Sequence, residues 1–407
     1  MLPQHHSNSP AMSEERRLEF YKNQGNNLRG YAEQLAWYHH ACALNPQNVC
    51  MLTIFRLLYI GADLCASVRA CVSAQDEYEQ RYHIKYLWVN LNEAYKAIYN
   101  NATDEDSYLA QFTAAYPNAL QTAEYNEAVE KLELLWKSIM EDLHSPRNSY
   151  SHFDKDVCKT IGFLQDINSE ESPAHYCSKM LEIILLLNKL CQKFIPFGIQ
   201  VPQGPMQRHI LEPAMEHLRD LMRGKEKLTT TIRGVFASTS KEVKRGQCMC
   251  RLRDLVPGAK QMRSVKIWTA VMLIHILKAD LAAALLAGLR SELEFECRLN
   301  MRRIKIIRYE GLRQLKEMLK DLPDKVALKQ EIEDVFNTLD SQERNAAVHY
   351  RYGKMDYIPE AYGDCINPLE TLKDFLDIEP FLGQLNHFKN GLLICEMAYK
   401  YAKTITK

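Results

Sequence analysis

The chain carries no net charge. In its 407 residues 51 Lys and Arg balance 51 Asp and Glu, so nothing draws the molecule as a whole toward a polyanion. Its 12 cysteines include no Cys-x-x-Cys and no Cys/His array at zinc spacing, which argues against a disulfide framework and against a structural metal. Cys248-Met249-Cys250 is the tightest pair, and an isolated Cys-x-Cys is weak evidence for metal. No uninterrupted apolar run reads as a membrane span. The most apolar segment, Ile267–Leu289, is broken by Lys278 and Asp280 and fits a buried helix better. Met1 to Arg17 is polar and lacks the apolar centre of a signal peptide, so the expected setting is cytoplasmic, without a membrane. The length gives ample core for two domains and a connector.

What is present is a six-residue pattern written twice. Arg147-Asn148-Ser149-Tyr150-Ser151-His152 and Arg344-Asn345-Ala346-Ala347-Val348-His349 share the form Arg-Asn-x-x-x-His, and no other Arg has a His five residues downstream. Composition alone yields an Arg-x4-His roughly 0.7 times in such a chain, and about 0.04 times once Asn must follow the Arg. Two hits in matching contexts therefore mark a repeat. Metal-free cleavage of an RNA phosphodiester needs these two side chains. Arg holds the anionic phosphoryl oxygens, and His moves protons at neutral pH. Two copies supply two histidines, one for a base and one for an acid. No carboxylate cluster at metal-ligand spacing accompanies either motif, so no cofactor is expected.

Both motifs read as the opening turns of a helix. Ser145 suits an N-cap with Pro146 at the first helical position, while Asp340 and Glu343 read as a capping box. Such a terminus offers free N–H groups and a positive dipole end, which suit a phosphate and keep an imidazole neutral.

The repeat extends upstream without a gap. Glu77-Tyr78-Glu79-Gln80-Arg81 lies over Glu294-Phe295-Glu296-Cys297-Arg298, and the register continues through Ile84 over Met301, Lys85 over Arg302, Leu87 over Ile304, Glu93 over Glu310 and Lys96 over Arg313. Phe55–Val72 corresponds to Ile274–Leu289, and Cys177–Phe194 to Phe381–Ala402, all amphipathic or apolar helix patterns. About 20 extra residues in the first half, around Asn101–Thr122, read as an inserted loop. The prediction is an all-α chain: residues 1–200 form one helical unit, 201–262 a connector, and 263–407 a second unit.

Each half, with about four long helices and an Arg-polar-x-x-x-His motif opening the third or fourth, resembles the HEPN superfamily of RNA-cleaving toxins and phage-defence effectors. The resemblance rests on Arg147, Asn148, His152, Arg344, Asn345 and His349, and covers roughly residues 50–200 and 265–405. It implies two domains packed as a pseudo-two-fold pair, with their motifs facing each other across one cleft. It also implies a metal-independent endoribonuclease that leaves a 2′,3′-cyclic phosphate. Arg147, His152, Arg344 and His349 would be catalytic and Asn148 and Asn345 supporting. RNA would be the substrate, with room for an antitoxin or regulatory partner and for a homodimer. Some members carry a Tyr two residues past the His that is modified by a nucleotidyltransferase; Asp154 and Arg351 stand there, so that control is not expected.

The remaining features leave alternatives open. From residue 202 to 266 basic residues outnumber acidic ones by 14 to 6, and this stretch is either an electrostatic guide for RNA or a solvated linker. Leu228–Pro257, rich in Thr, Ser and Gly, reads as a long loop or a partly disordered segment, and Glu212–Arg223 as a helix. Glu77, Glu79 and Arg81, with Glu93 and their counterparts including Glu310, either orient the motif side chains or form ordinary pairs on an exposed helix face. His39, His40 and His144 read as surface residues, and the many Met and Tyr as core. Against the nuclease stands a non-catalytic RNA- or nucleotide-binding scaffold on the same fold.

Overall fold

A computed structural model of the protein describes residues 14–99, 107–142, 156–166, 171–201, 215–320, 327–339, 341 and 378–405. Among the described residues there are helices and no strands. In chain order these are α1 (Glu14–Leu44), α2 (Val49–Val72), α3 (Glu77–Ile98), α4 (Tyr108–Ala115), α5 (Ala123–Asp142), α6 (Val157–Asp166), α7 (Glu171–Gln192), α8 (Met215–Leu255), α9 (Arg263–Arg290), α10 (Glu294–Leu319), α11 (Ala327–Asn337) and α12 (Glu379–Ile405). The all-α expectation holds.

Local chemistry sets several of the helix starts. Asn48 and Asp76 cap α2 and α3, accepting from the N–H groups of Met51 and Glu79 at 2.9 Å each. At α10 the N-cap position is Leu293, which has no side-chain oxygen, and Glu296 takes over by accepting from the N–H groups of Glu292 and Leu293 at 2.9 and 3.1 Å. Glu79 does the equivalent at α3, accepting from the Gln75 N–H at 2.9 Å. The repeated Glu is therefore a helix-capping residue in both halves.

The core divides into two clusters, and α3 and α10 each serve both. The first cluster gathers α1, α2, α4, α5, α7 and one side of α3, and it also takes Phe295 and Leu299 from α10. The second gathers α6, α8, α9, α11, α12 and most of α10, and takes Tyr78, Tyr82 and Tyr86 from α3. Tyr78 and Phe295 are equivalent in the repeat register, so the exchange is reciprocal. α2 and α9 lie at the centre. Both are long and apolar enough by composition to cross a membrane, and both are almost wholly covered by other helices, as a helix that is apolar all round requires. The buried-helix expectation for Ile267–Leu289 is met, and Tyr31, Tyr59, Tyr82, Tyr108 and Met51 are core residues as expected.

Three expectations need correction. Leu228–Pro257 is not a loop: α8 runs unbroken to Leu255. Its Leu228, Ile232, Phe236, Val243 and Cys250 recur on one face and join the second core. Thr229, Thr230 and Thr231 return their hydroxyls to carbonyls one turn back at 2.7, 3.0 and 3.1 Å, so they do not break the helix. Gly246 is a packing residue there, since a Cβ would come within 2.4 Å of the Met272 methyl carbon. The Asn101–Thr122 insertion is helical from Ser107 onward. Ser107 caps α4, Phe112 and Ala119 are fully buried, and Pro117–Gln121 forms a 3₁₀ turn. Finally, Cys158 on α6 and Cys250 on α8 form a disulfide, a pairing that sequence spacing could not suggest across 92 residues.

Candidate functional site

The two motifs, with Arg147, Asn148, His152, Arg344, Asn345 and His349, lie outside the described residues, and so does the expected helix opening around Ser145 and Asp340. What is described is the frame on either side. α5 ends at Asp142 within the first core, and α6 begins at Val157 within the second. Residues 143–155 thus join a helix of one core to a helix of the other. Asp156, at the foot of α6, accepts from Arg253 of α8 at 2.5 and 2.9 Å, and Lys260 lies 3.7 Å away. Burial pushes the Asp156 carboxyl up, but Arg253, the Cys158 N–H and Lys260 outweigh it and hold it below the usual range.

Glu93 and Glu310, expected to support the motifs, are both buried, at 7% and 2% exposure. Each accepts from a cation three residues on: Lys96 reaches Glu93 at 2.8 Å, and Arg313 reaches Glu310 at 3.0 and 2.7 Å. These are register-equivalent pairs on their own helices. Their burial sets them apart from the exposed Arg81–Glu77 pair at 2.6 Å, which is an ordinary i,i+4 contact.

The repeated acids and bases do something that the order of residues alone did not suggest. Arg69 of α2 donates to Glu296 of α10 at 2.5 Å and to Glu292 at 3.0 Å. Reciprocally, Arg290 of α9 donates to Glu79 of α3. Deeper in, Asp63 of α2 pairs with Arg302 of α10, while Asp280 of α9 faces Lys85 of α3 at 3.8 Å and accepts from Tyr78 at 2.8 Å. Asp63 and Asp280 are equivalent in the register, as are Lys85 and Arg302. The signal was in the sequence: Lys85 over Arg302 was visible, and Asp280, read only as an interruption of an apolar run, aligns with Asp63.

The seam is not perfectly symmetric. Where the second half has Asn300 and Arg303, the first has His83 and Tyr86. His83 is fully buried, its Nδ1 3.0 Å from Arg303 Nη1 and its Nε2 3.6 Å from Glu79. Arg303 also reaches Ser67 at 3.2 Å. Burial drives the imidazole down; Glu79 pulls it up and the arginines oppose that, leaving it at about 4. The Nδ1 therefore accepts from Arg303, and the ring is neutral at pH 7. Glu79 feels burial as an upward push, which His83, Arg290 and the Gln75 N–H overcome to leave it at about 2. A buried histidine of this kind holds structure and has no access to a substrate. The outer end of the seam opens into a cleft of about 410 Å³ lined by Tyr21, Lys225, Arg290, Glu296 and Asn300.

Of the other histidines, His39 is half-buried against Phe55, with ring centres 5.9 Å apart, and His40 is exposed; His144 lies outside the described residues. Comparison with protein families, with curated proteins and with solved structures finds no match to this chain.

Proposed function

We propose that this chain is a metal-independent endoribonuclease of the toxin or phage-defence type, built from two HEPN-like helical units. In this reading residues 1–200 and 263–407 are the two units, residues 201–262 connect them, and the protein works in the cytoplasm. The observation that carries it is the duplicated Arg-Asn-x-x-x-His motif inside a longer repeat. The reciprocal pairing of α2 and α3 with α10 and α9 favours it, because a site shared by two motifs requires two halves in fixed mutual register.

The chemistry follows from the two side chains. One histidine takes the proton of a ribose 2′-OH as that oxygen bonds to phosphorus; the other gives a proton to the departing 5′-oxygen as the P–O bond breaks. Arg147 and Arg344 neutralise the non-bridging oxygens, Asn148 and Asn345 hold the turn or the RNA, and Glu93 and Glu310 stiffen the helices beneath. The products are a 2′,3′-cyclic phosphate and a 5′-hydroxyl. Neither proton transfer calls for a metal. Partners would be RNA, an antitoxin or regulator, and a second copy if the halves exchange.

The test is incubation of the purified chain with total RNA, with and without millimolar EDTA, followed by end-group analysis. Cleavage that survives chelation and leaves cyclic phosphate ends is expected. Activity lost to EDTA and restored by magnesium would refute the mechanism. Binding without cleavage under all conditions would establish the scaffold instead.

A further inference from the structure

The outward face of α8 has no role in either core. Its inner face is spent on Leu228, Ile232, Phe236, Val243 and Cys250, all in the second core. On the opposite side, Arg223 and Lys241 stand about five full turns apart and share one meridian of the helix; Lys227 and Arg245 share another about 40° away. Arg233 and Arg251 share a third, about 80° from the Arg223–Lys241 meridian on its other side, and all six side chains are exposed. Among the described side chains of the same helix, only Asp220, Glu226 and Asp254 are exposed acids.

Two of the six bases spend part of their charge locally, Arg223 on Asp220 at 3.6 Å and Arg245 on Glu242 at 2.6 Å. Among the described residues Lys227, Arg233, Lys241 and Arg251 make no ion pair. The outer positions between them are small, Thr230, Thr231, Gly234, Ala237 and Ser238, and all are exposed. A strip of exposed cations over low side chains lets a chain of phosphates come close along its length. At 1.5 Å per residue the stretch from Arg223 to Arg251 is about 42 Å long. The whole molecule is neutral, so this concentration of one sign is a local device and not a consequence of overall charge.

We propose that this face of α8 is a binding track for the phosphate backbone of single-stranded RNA. The inference rests on the nuclease reading for its choice of polyanion and adds the surface that holds the substrate. The far end of the track is anchored through Arg253 to Asp156, four residues of chain beyond His152. Sequence-tolerant contact with phosphates would explain how such an enzyme retains a strand without reading its bases.

The test measures binding separately from cutting. A fluorescein-labelled single-stranded 20-nucleotide RNA is titrated with the full chain carrying His152→Ala and His349→Ala, so the probe survives. In that background the Lys227→Gln, Arg233→Gln, Lys241→Gln triple variant should bind at least about 10-fold more weakly. The slope of log affinity against log salt should fall by about 2, at roughly 0.7 for each phosphate no longer neutralised. A control triple, Lys131→Gln, Lys137→Gln and Lys193→Gln, removes the same charge from α5 and from the end of α7 and should change little. Circular dichroism verifies that both triples keep their helix content. If the α8 triple binds like its parent, or the control weakens binding equally, the track is refuted even if the wild-type chain cuts RNA. If the α8 triple alone loses affinity but the wild-type chain never cuts, the track stands and the nuclease falls.

Discussion

Lys85 and Asp280 face each other across 3.8 Å, at 2% and 0% side-chain exposure, joining the third helix to the ninth over nearly half the chain. Burial lowers the lysine and raises the aspartate, each away from its charged form; the partner's charge and the Tyr78 hydroxyl work in the opposite sense on Asp280. Its mirror pair is Asp63 with Arg302, where the guanidinium replaces the amine. Such pairs contribute little net stability against an apolar replacement, but they exclude other registers, because a slip would leave a buried charge alone. Arg290–Glu79 and Arg69–Glu296, equivalent at the glutamates while the arginines sit four residues apart in register, tie the same helices together near their ends.

The first prediction concerns that register. Arg302→Met should leave Asp63 buried without its partner and destabilise the fold by about 3–5 kcal/mol. Adding Asp63→Leu should recover most of the loss. Urea denaturation of the two single variants and the double variant measures this. Additive losses in the double variant would show that the two residues do not act as a pair.

Acid sensitivity follows from His83. It is neutral in the fold, held at about 4, whereas an unfolded histidine titrates near 6.5. Below about pH 6.5 the unfolded chain takes up a proton that the folded chain refuses, so stability falls as pH drops toward 4. His275, driven down to about 4 chiefly by burial, adds a loss of the same sign. Glu79, held at about 2, contributes stability that is lost only below about pH 4.5. Stability from urea denaturation should be level above pH 7 and decline between pH 6.5 and 5, by about 2 kcal/mol at pH 5 from His83 and by less from the partly exposed His275, whose charge water screens. His83→Gln should remove the larger part of that decline; an unaltered slope would mean that the ring is not buried in its neutral form.

Reduction should loosen the link between α6 and α8. The Cys158–Cys250 bond closes a loop of 92 residues, and losing it should cost about 2–4 kcal/mol. Melting with and without a phosphine reductant measures the shift. Cys158→Ser should match the reduced protein and become insensitive to reductant. Exposed Cys248 should take up iodoacetamide before any of the buried thiols in either state.

For the catalytic motifs, His152→Ala or His349→Ala should each lower RNA cleavage by a factor on the order of 10² or more. The double variant should be little worse than either single one, because residues that act as a unit are not additive. A single variant retaining half the rate would indicate two separate sites, one in each half.

Sequence determined the helical class, because 3.6-residue periodicity and capping residues act within a few turns. It also determined the repeat, since Glu77–Arg81 over Glu294–Arg298 is a matter of order alone, and it singled out the two motifs by composition and spacing. Tertiary structure decided what the repeated charges are for. Glu79 reads as a helix-surface acid until α9 brings Arg290 to it, and Asp280 as a flaw in an apolar run until Lys85 arrives from α3. It also decided that Leu228–Leu255 is a helix, because its Thr, Ser and Gly residues are tolerable only when one face is buried against α9. Local propensity weighs each residue against its neighbours in the chain. A buried ion pair, a shared core or a disulfide across 92 residues depends on which faces meet, and only the packed chain specifies that.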